Sequence, residues 1–101
     1  MAAVVRIGDE LATGHDCAAT TTLDTSNQDG TVFANGIEIA VVGADTVSHG
    51  FPPVPACVPH VAELNEGSGT VFINGIAVGR IGDGADAGNM TSGSSTVFAG
   101  D

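Results

Sequence analysis

Apolar and polar positions alternate with a period of two in two matching stretches, "TVFANGIEIAVVG" from Thr31 and "TVFINGIAVGRIGD" from Thr70. In the first, Ile37, Ile39 and Val41 alternate with Glu38, Ala40 and Val42; in the second, Ile76, Val78 and Arg80 alternate with Ala77, Gly79 and Ile81. Period two in a run of β-branched residues predicts strands with one buried face. Asn35-Gly36 and Asn74-Gly75 sit between the strands of each stretch. A type I′ hairpin turn needs positive φ at both central residues, and Asn-Gly supplies it at least cost. Each stretch therefore reads as a β-hairpin whose second strand ends at Gly43 or Gly82. No segment carries a sustained helical period.

The pattern returns a third time in two pieces. "TVF" begins at Thr31, Thr70 and Thr96, "RIGD" occurs at Arg6 and Arg80, and "VVGAD" from Val41 stands in the equivalent place of the middle copy. "STVFAGD" near one end supplies a first strand, and "AVVRIGD" near the other supplies a second that ends at Gly8. The expected fold is a small all-β domain over residues 1–101, with three hairpins around a pseudo-threefold axis. The N- and C-terminal strands pair to complete the third hairpin. The linkers, residues 10–29, 46–68 and 84–94, read as loops or irregular extended segments, with at most a turn near residues 61–64.

Composition narrows the class of function. Twelve acidic residues against two Arg give a formal charge of −10. Binding to nucleic acid needs cations that displace counterions from phosphate, so it is not expected. Docking on an anionic membrane surface is disfavoured for the same reason. No apolar run has the length of a membrane span, and no Sec-type signal is evident. A chain of 101 residues buries a marginal core and gains from a metal or a disulfide.

The linkers carry the chemistry. His15 follows Gly8 by seven residues and His49 follows Gly43 by six, so threefold geometry would bring them together. The third equivalent place, near Ala87-Gly88, has no ligand in this reading, and the second linker instead adds Cys57 and His60 as C-x-x-H. Three imidazoles and a thiolate suit a closed tetrahedral Zn²⁺ site, with Fe²⁺ also possible. Cys17 is the competing sulfur ligand, and a Cys17–Cys57 disulfide is the alternative to either. A filled coordination shell leaves no open position for water, the Ser92–Ser95 run lacks a nucleophile-elbow pattern, and an enzyme is not expected. A small zinc-dependent hydrolase using the three histidines with an open fourth position, and a disulfide-bonded secreted binding module, are the competing functions.

"RIGD", "TVFxNG", "SHG…CVPH…GSGTVFINGIAVGRIGD" and "GSSTVFAG" together resemble the PAAR-repeat family across nearly the whole chain. The signature place holds "IAVGR" from Ile76, which keeps Ala77 and Arg80 without the proline, and "EIAV" from Glu38 in the other copy. The resemblance implies a conical β-structure, a metal held by His15, His49, His60 and Cys57 near the apex, and a broad base seated on a trimeric β-helical spike. Such tips serve contractile injection machines: phage tails, type VI secretion systems and related particles. One copy per trimer is expected of a protein that is a monomer by itself. The apolar hairpin face around Val32, Phe33, Val71, Phe72, Val97 and Phe98 is the expected contact. The resemblance also implies a role in membrane puncture without stable membrane association, and location at a virion tail tip or export by an injection machine. It implies a bare tip with no fused effector. Arg6 and Arg80, at equivalent repeat positions, are expected to pair with acidic groups of the ladder or of the partner.

Overall fold

The computed structural model describes residues 2–100, and Asp101, which the sequence places in the third hairpin, lies outside them. The described residues form an all-β fold of twelve short strands without helix. In chain order these are β1 (Ala2–Ala3), β2 (Glu10–Ala12), β3 (Thr20–Thr22), β4 (Phe33–Ala34), β5 (Ile37–Glu38) and β6 (His49–Phe51). There follow β7 (Val58–His60), β8 (Phe72–Ile73), β9 (Ile76–Ala77), β10 (Gly84–Ala85), β11 (Gly88–Met90) and β12 (Phe98–Ala99).

The Asn-Gly turns fold as the sequence predicts. Asn35 and Gly36 have φ of 56° and 76°, and Asn74 and Gly75 have 52° and 82°. They close the hairpins β4–β5 and β8–β9. The third hairpin is β1 paired with β12, with Ala2 opposite Ala99 and Ala3 opposite Phe98. Beyond the hairpins, Arg6 bridges Ile39, Val41 bridges Val78 and Arg80 bridges Val4. Each segment thus pairs with the next, and the last returns to the first. At the centre the Val5 N–H donates to the Gly79 carbonyl (3.0 Å), Gly79 to Ala40 (3.0 Å) and Ala40 to Val5 (2.9 Å), a closed ring of three backbone hydrogen bonds.

That ring changes what the alternation means. Ile39, Ala40 and Val41 are all buried, so period two here does not separate core from solvent. It separates two cores. Val4, Ile39, Val41 and Val78 pack with Ala34, Ile73 and Ala99 beneath the hairpins. Val5 and Ala40 face the other way, into a cluster with Leu11, Leu23, Ala44, Leu64, Ala85 and Met90. Fully burying each Leu or Met there contributes roughly 1.5–3 kcal/mol. The residues of the ring share one small space: a Cβ on Gly79 would lie 2.4 Å from Leu64 Cδ2 and 2.7 Å from Val5 Cγ2. Gly79→Val is therefore expected to destabilise the fold by about 1–3 kcal/mol through overpacking. Urea unfolding checks this; an unchanged midpoint would mean that the space is not filled.

The linkers are more ordered than expected: short paired strands interrupt their irregular stretches. Strands β2, β3, β10 and β11 form a four-stranded sheet in the order β10-β11-β2-β3, and β6 pairs with β7. Residues 61–64 make no isolated turn: Glu63 bridges Asp45 and Leu64 bridges Ala85. Buried backbone must be hydrogen-bonded, and these segments, which carry no helical period, satisfy it by pairing with each other.

Both arginines pair within their own motif. Arg6 Nε donates to Asp9 Oδ2 (3.0 Å) and its terminal nitrogen to Oδ1 (3.2 Å). Arg80 repeats this on Asp83 at 3.0 and 3.0 Å. The middle copy aligns differently from the "VVGAD" reading. The turn bond Asp9 N–H to Arg6 carbonyl, repeated from Asp83 to Arg80, runs in the middle copy from Ala44 to Val41. Ala44, not Asp45, holds the aspartate position, so both members of the ion pair are replaced together by apolar residues. Removing one partner alone would leave a poorly solvated charge.

Candidate metal centre

The three histidines come from different linker elements. His15 lies beyond β2, His49 opens β6, and His60 closes β7 directly opposite His49 in the hairpin register. A fourth group joins them. Asp86 occupies the two-residue turn between β10 and β11, with φ of 56°. Its backbone is tied down by its N–H to the Glu63 carbonyl (3.1 Å) and by Asn65 Nδ2 to its own carbonyl (3.3 Å). Two glycines let the Asp86 turn reach His15. A Cβ on Gly14 would lie 2.3 Å from the Ala87 carbonyl oxygen, and one on Gly88 would lie 2.0 Å from that of Ala12.

One nitrogen from each ring and one Asp86 oxygen lie within 4.8 Å of one another. His15 Nε2 and His49 Nε2 are each 2.8 Å from Asp86 Oδ2, and His60 Nε2 is 3.3 Å from Oδ1. The two Nε2 atoms of His15 and His49 are 3.3 Å apart. A tetrahedron with Zn–N bonds of 2.0–2.1 Å has edges of about 3.3–3.4 Å. The His15 and His49 rings stack at 8°, and His60 stands nearly perpendicular to both. Phe51 lies against His15 and His60, with centroids at 4.8 and 4.4 Å. The side chains of His15, His49 and Asp86 are 7%, 6% and 5% exposed, and that of His60 is 25%.

The surrounding groups set the ring tautomers. His15 Nδ1 is 2.8 Å from the Asp16 carbonyl and His49 Nδ1 is 2.8 Å from that of Val47. A carbonyl only accepts, so Nδ1 carries the proton in each ring, and neutral His15 and His49 present Nε2 lone pairs to the cluster. Without a cation, His15 Nε2 must also be protonated to donate to Asp86 Oδ2. The His15 pKa is accordingly raised, first by the Asp16 carbonyl and then by Asp86, against the opposing effect of burial. For Asp86, burial is the largest single influence and pushes its pKa up, but the hydrogen bonds from His15, His49 and His60 outweigh it and the net shift is downward. Three neutral imidazoles and one carboxylate form a donor set that can hold a divalent metal ion.

Comparison with protein-family models and with curated proteins finds no match.

The structure corrects the expected thiolate. Cys57 is bonded to Cys17 in a disulfide, so neither sulfur is available as a thiolate ligand. The bond joins the His15 segment to the turn between β6 and β7, and lies against Gly50, where a Cβ would be 3.1 Å from Cys17 Cβ. It stands beside the cluster as a tie between two ligand-bearing segments. His15, His49 and His60 are brought together as expected, and Asp86 takes the fourth ligand place expected of Cys57, from the third repeat position, near Ala87-Gly88, where no ligand was expected. The clue was "GADAG" at residues 84–88, an acidic residue in a tight turn equivalent in chain order to the His15 and His49 segments. Among twelve acidic residues it carried no mark of its own.

Proposed function

We propose that the protein is a metal-stabilised tip that caps a trimeric β-helical spike of a contractile injection machine and assists membrane puncture, and that it performs no catalysis. The observation that carries this reading is the apolar face of the hairpins. Phe33, Phe72 and Phe98 hold the same place in the three copies and are 52%, 52% and 50% exposed. Phe72 and Phe98, with Val32, Val71 and Val97, line a recess of about 390 Å³ that opens onto the core beneath the hairpins. An exposed apolar patch built from three matching elements suits a partner with three matching chains. The cyclic pairing of Arg6, Val41 and Arg80 with Ile39, Val78 and Val4 supports a pseudo-threefold body.

From the hairpins the chain passes through the lower core at Ile39 and the upper core at Ala40 and Ala44 before reaching His49. The metal cluster shares no residue with the apolar face. Zn²⁺ is the ion that four-coordinate His₃Asp ligation suits best, with Fe²⁺ second. Bound there, it would tie three linkers together, and its binding energy would become folding energy. The disulfide fits work outside the reducing cytosol.

The test is a mixture with a trimeric β-helical spike protein of a contractile injection machine, read by light scattering. One copy per trimer is expected, and Asp at Phe33, Phe72 and Phe98 together should abolish the complex. A complex indifferent to those substitutions would overturn the reading. The Cys17–Cys57 bond favours a second reading, a free-standing disulfide-bonded binding module. That reading expects no spike complex at all.

A further inference from the structure

The large exposed apolar residues fall mainly into two groups. One belongs to the hairpin face described above. The other is Val47, Phe51, Val54, Val58 and Val61, which are 41%, 37%, 64%, 45% and 54% exposed. All five lie on or beside the β6–β7 hairpin. Between Asp45 and Glu63 there is no Asp, Glu, Lys or Arg, although the chain has twelve acidic residues and two Arg elsewhere. An exposed hairpin whose only titratable side chains are His49 and His60, both turned to Asp86, suits surroundings that penalise charge.

The backbone of the turn tells the same way. Pro52, Pro53 and Pro55 have no N–H to leave unpaired, and the Cys57 N–H is bonded to the Pro53 carbonyl at 2.9 Å. Only Val54 and Ala56 add further amide donors. Unpaired N–H and C=O groups both cost on entering hydrocarbon; the prolines remove three donors while the carbonyls need water, so this turn suits shallow immersion at the interface. A protein partner would impose no such restriction, because its own carbonyls could accept from ordinary amides. The disulfide and the paired strands keep the turn from splaying.

We infer that the turn between β6 and β7, centred on Val54, is a lipid-contacting element that enters the interface of an uncharged bilayer. Charges at the base of the hairpin limit its depth, among them Asp86, which is hydrogen-bonded to His49 and His60. Asp16 adjoins the disulfide through Cys17 and is exposed, and Glu63 lies three residues beyond His60. Contact is therefore shallow and reversible. The net charge of −10 selects zwitterionic over anionic lipid. The inference deepens the proposed puncturing role and rests on it only for its biological setting. Its test needs no spike, so the two fail separately.

The chain has no Trp or Tyr, so Val54→Trp gives a reporter without background. With phosphatidylcholine vesicles its emission should shift to the blue and be quenched by brominated acyl chains. Including phosphatidylglycerol should weaken the response. Adding Val58→Asp should lower partitioning by about tenfold or more, since it places a charge where an apolar side chain met lipid. Both positions are exposed, so the fold should survive, and intact disulfide content checks this. Emission that stays water-like at every phosphatidylcholine concentration, or partitioning unaffected by Val58→Asp, overturns the inference.

Discussion

Asp86→Ala should strip the metal from the protein, whereas Cys57→Ser should leave it bound. Asp86 supplies the only oxygen among the four converging atoms, and its oxygens lie between 2.8 and 3.3 Å from all three ring nitrogens. Loss of groups that merely support a metal ligand costs about 10–100-fold in affinity, and loss of a ligand should cost more. Metal analysis of the purified variants reads this directly: about one equivalent in the parent and in Cys57→Ser, and little in Asp86→Ala or His49→Ala. A metal-free parent would remove the centre, and a Cys57→Ser variant that loses its metal would restore the thiolate reading.

The pH dependence separates the two states of the site. Metal binding requires neutral imidazoles, so acidification should release the ion and lower the stability of the loaded protein. The metal-free protein should differ. Its raised His15 pKa gives stabilisation that is complete below the ordinary histidine value and is lost as pH rises through the raised one. The lowered Asp86 pKa gives stabilisation that is complete above the ordinary carboxylate value and is lost as pH falls through the lowered one. The chelated protein should therefore gain most from the cluster in mild acid, between those two pKa values, where the loaded protein is losing its ion. Thermal melts across pH, with and without chelator, check the contrast.

Replacing Cys17 and Cys57 together by Ser is expected to cost about 4 kcal/mol, the chain-entropy value for cross-linking residues 40 apart in sequence. In a domain of this size that corresponds to a fall in Tm on the order of 15–30 °C. The loss should leave metal stoichiometry unchanged, since the sulfurs belong to the tie and not to the ligand set. Reduction of the parent should match the double variant. A Tm within a few degrees of the parent would mean that the strand pairing of β2–β3 and β6–β7 already holds those segments together.

Much of the body was legible in the sequence because its signals are local. Asn-Gly between alternating strands admits few structures, and the split "TVF…RIGD" copy pointed to the pairing of β1 with β12. The linkers were misread because their strands are only two or three residues long and gain order from pairing across the chain, as Met90 does with Leu11. No window along the sequence contains that information. The same limit explains the site. Three histidines in a chain with no others stand out, but Asp86 is set apart from other acids only by its turn, by Gly14 and by Gly88. The cysteines pair because the fold brings their Cα atoms to 5.5 Å, which a separation of 40 residues does not reveal.

The pairing of β1 with β12 sets a timetable. Val4 bridges Arg80, Ala3 stands opposite Phe98, and the Val5 amide needs the Gly79 carbonyl. During synthesis the first strand emerges long before its partners exist, and Val4 and Val5 cannot complete their burial until Val78, Gly79 and then Ala99 follow. The two Asn-Gly hairpins can form early, as local structures close in microseconds. The body that unites them cannot close until nearly all of the described chain is free of the ribosome. The protein therefore folds late and as a unit, and a truncated product lacking β12 would expose both edges of the unfinished ring at once.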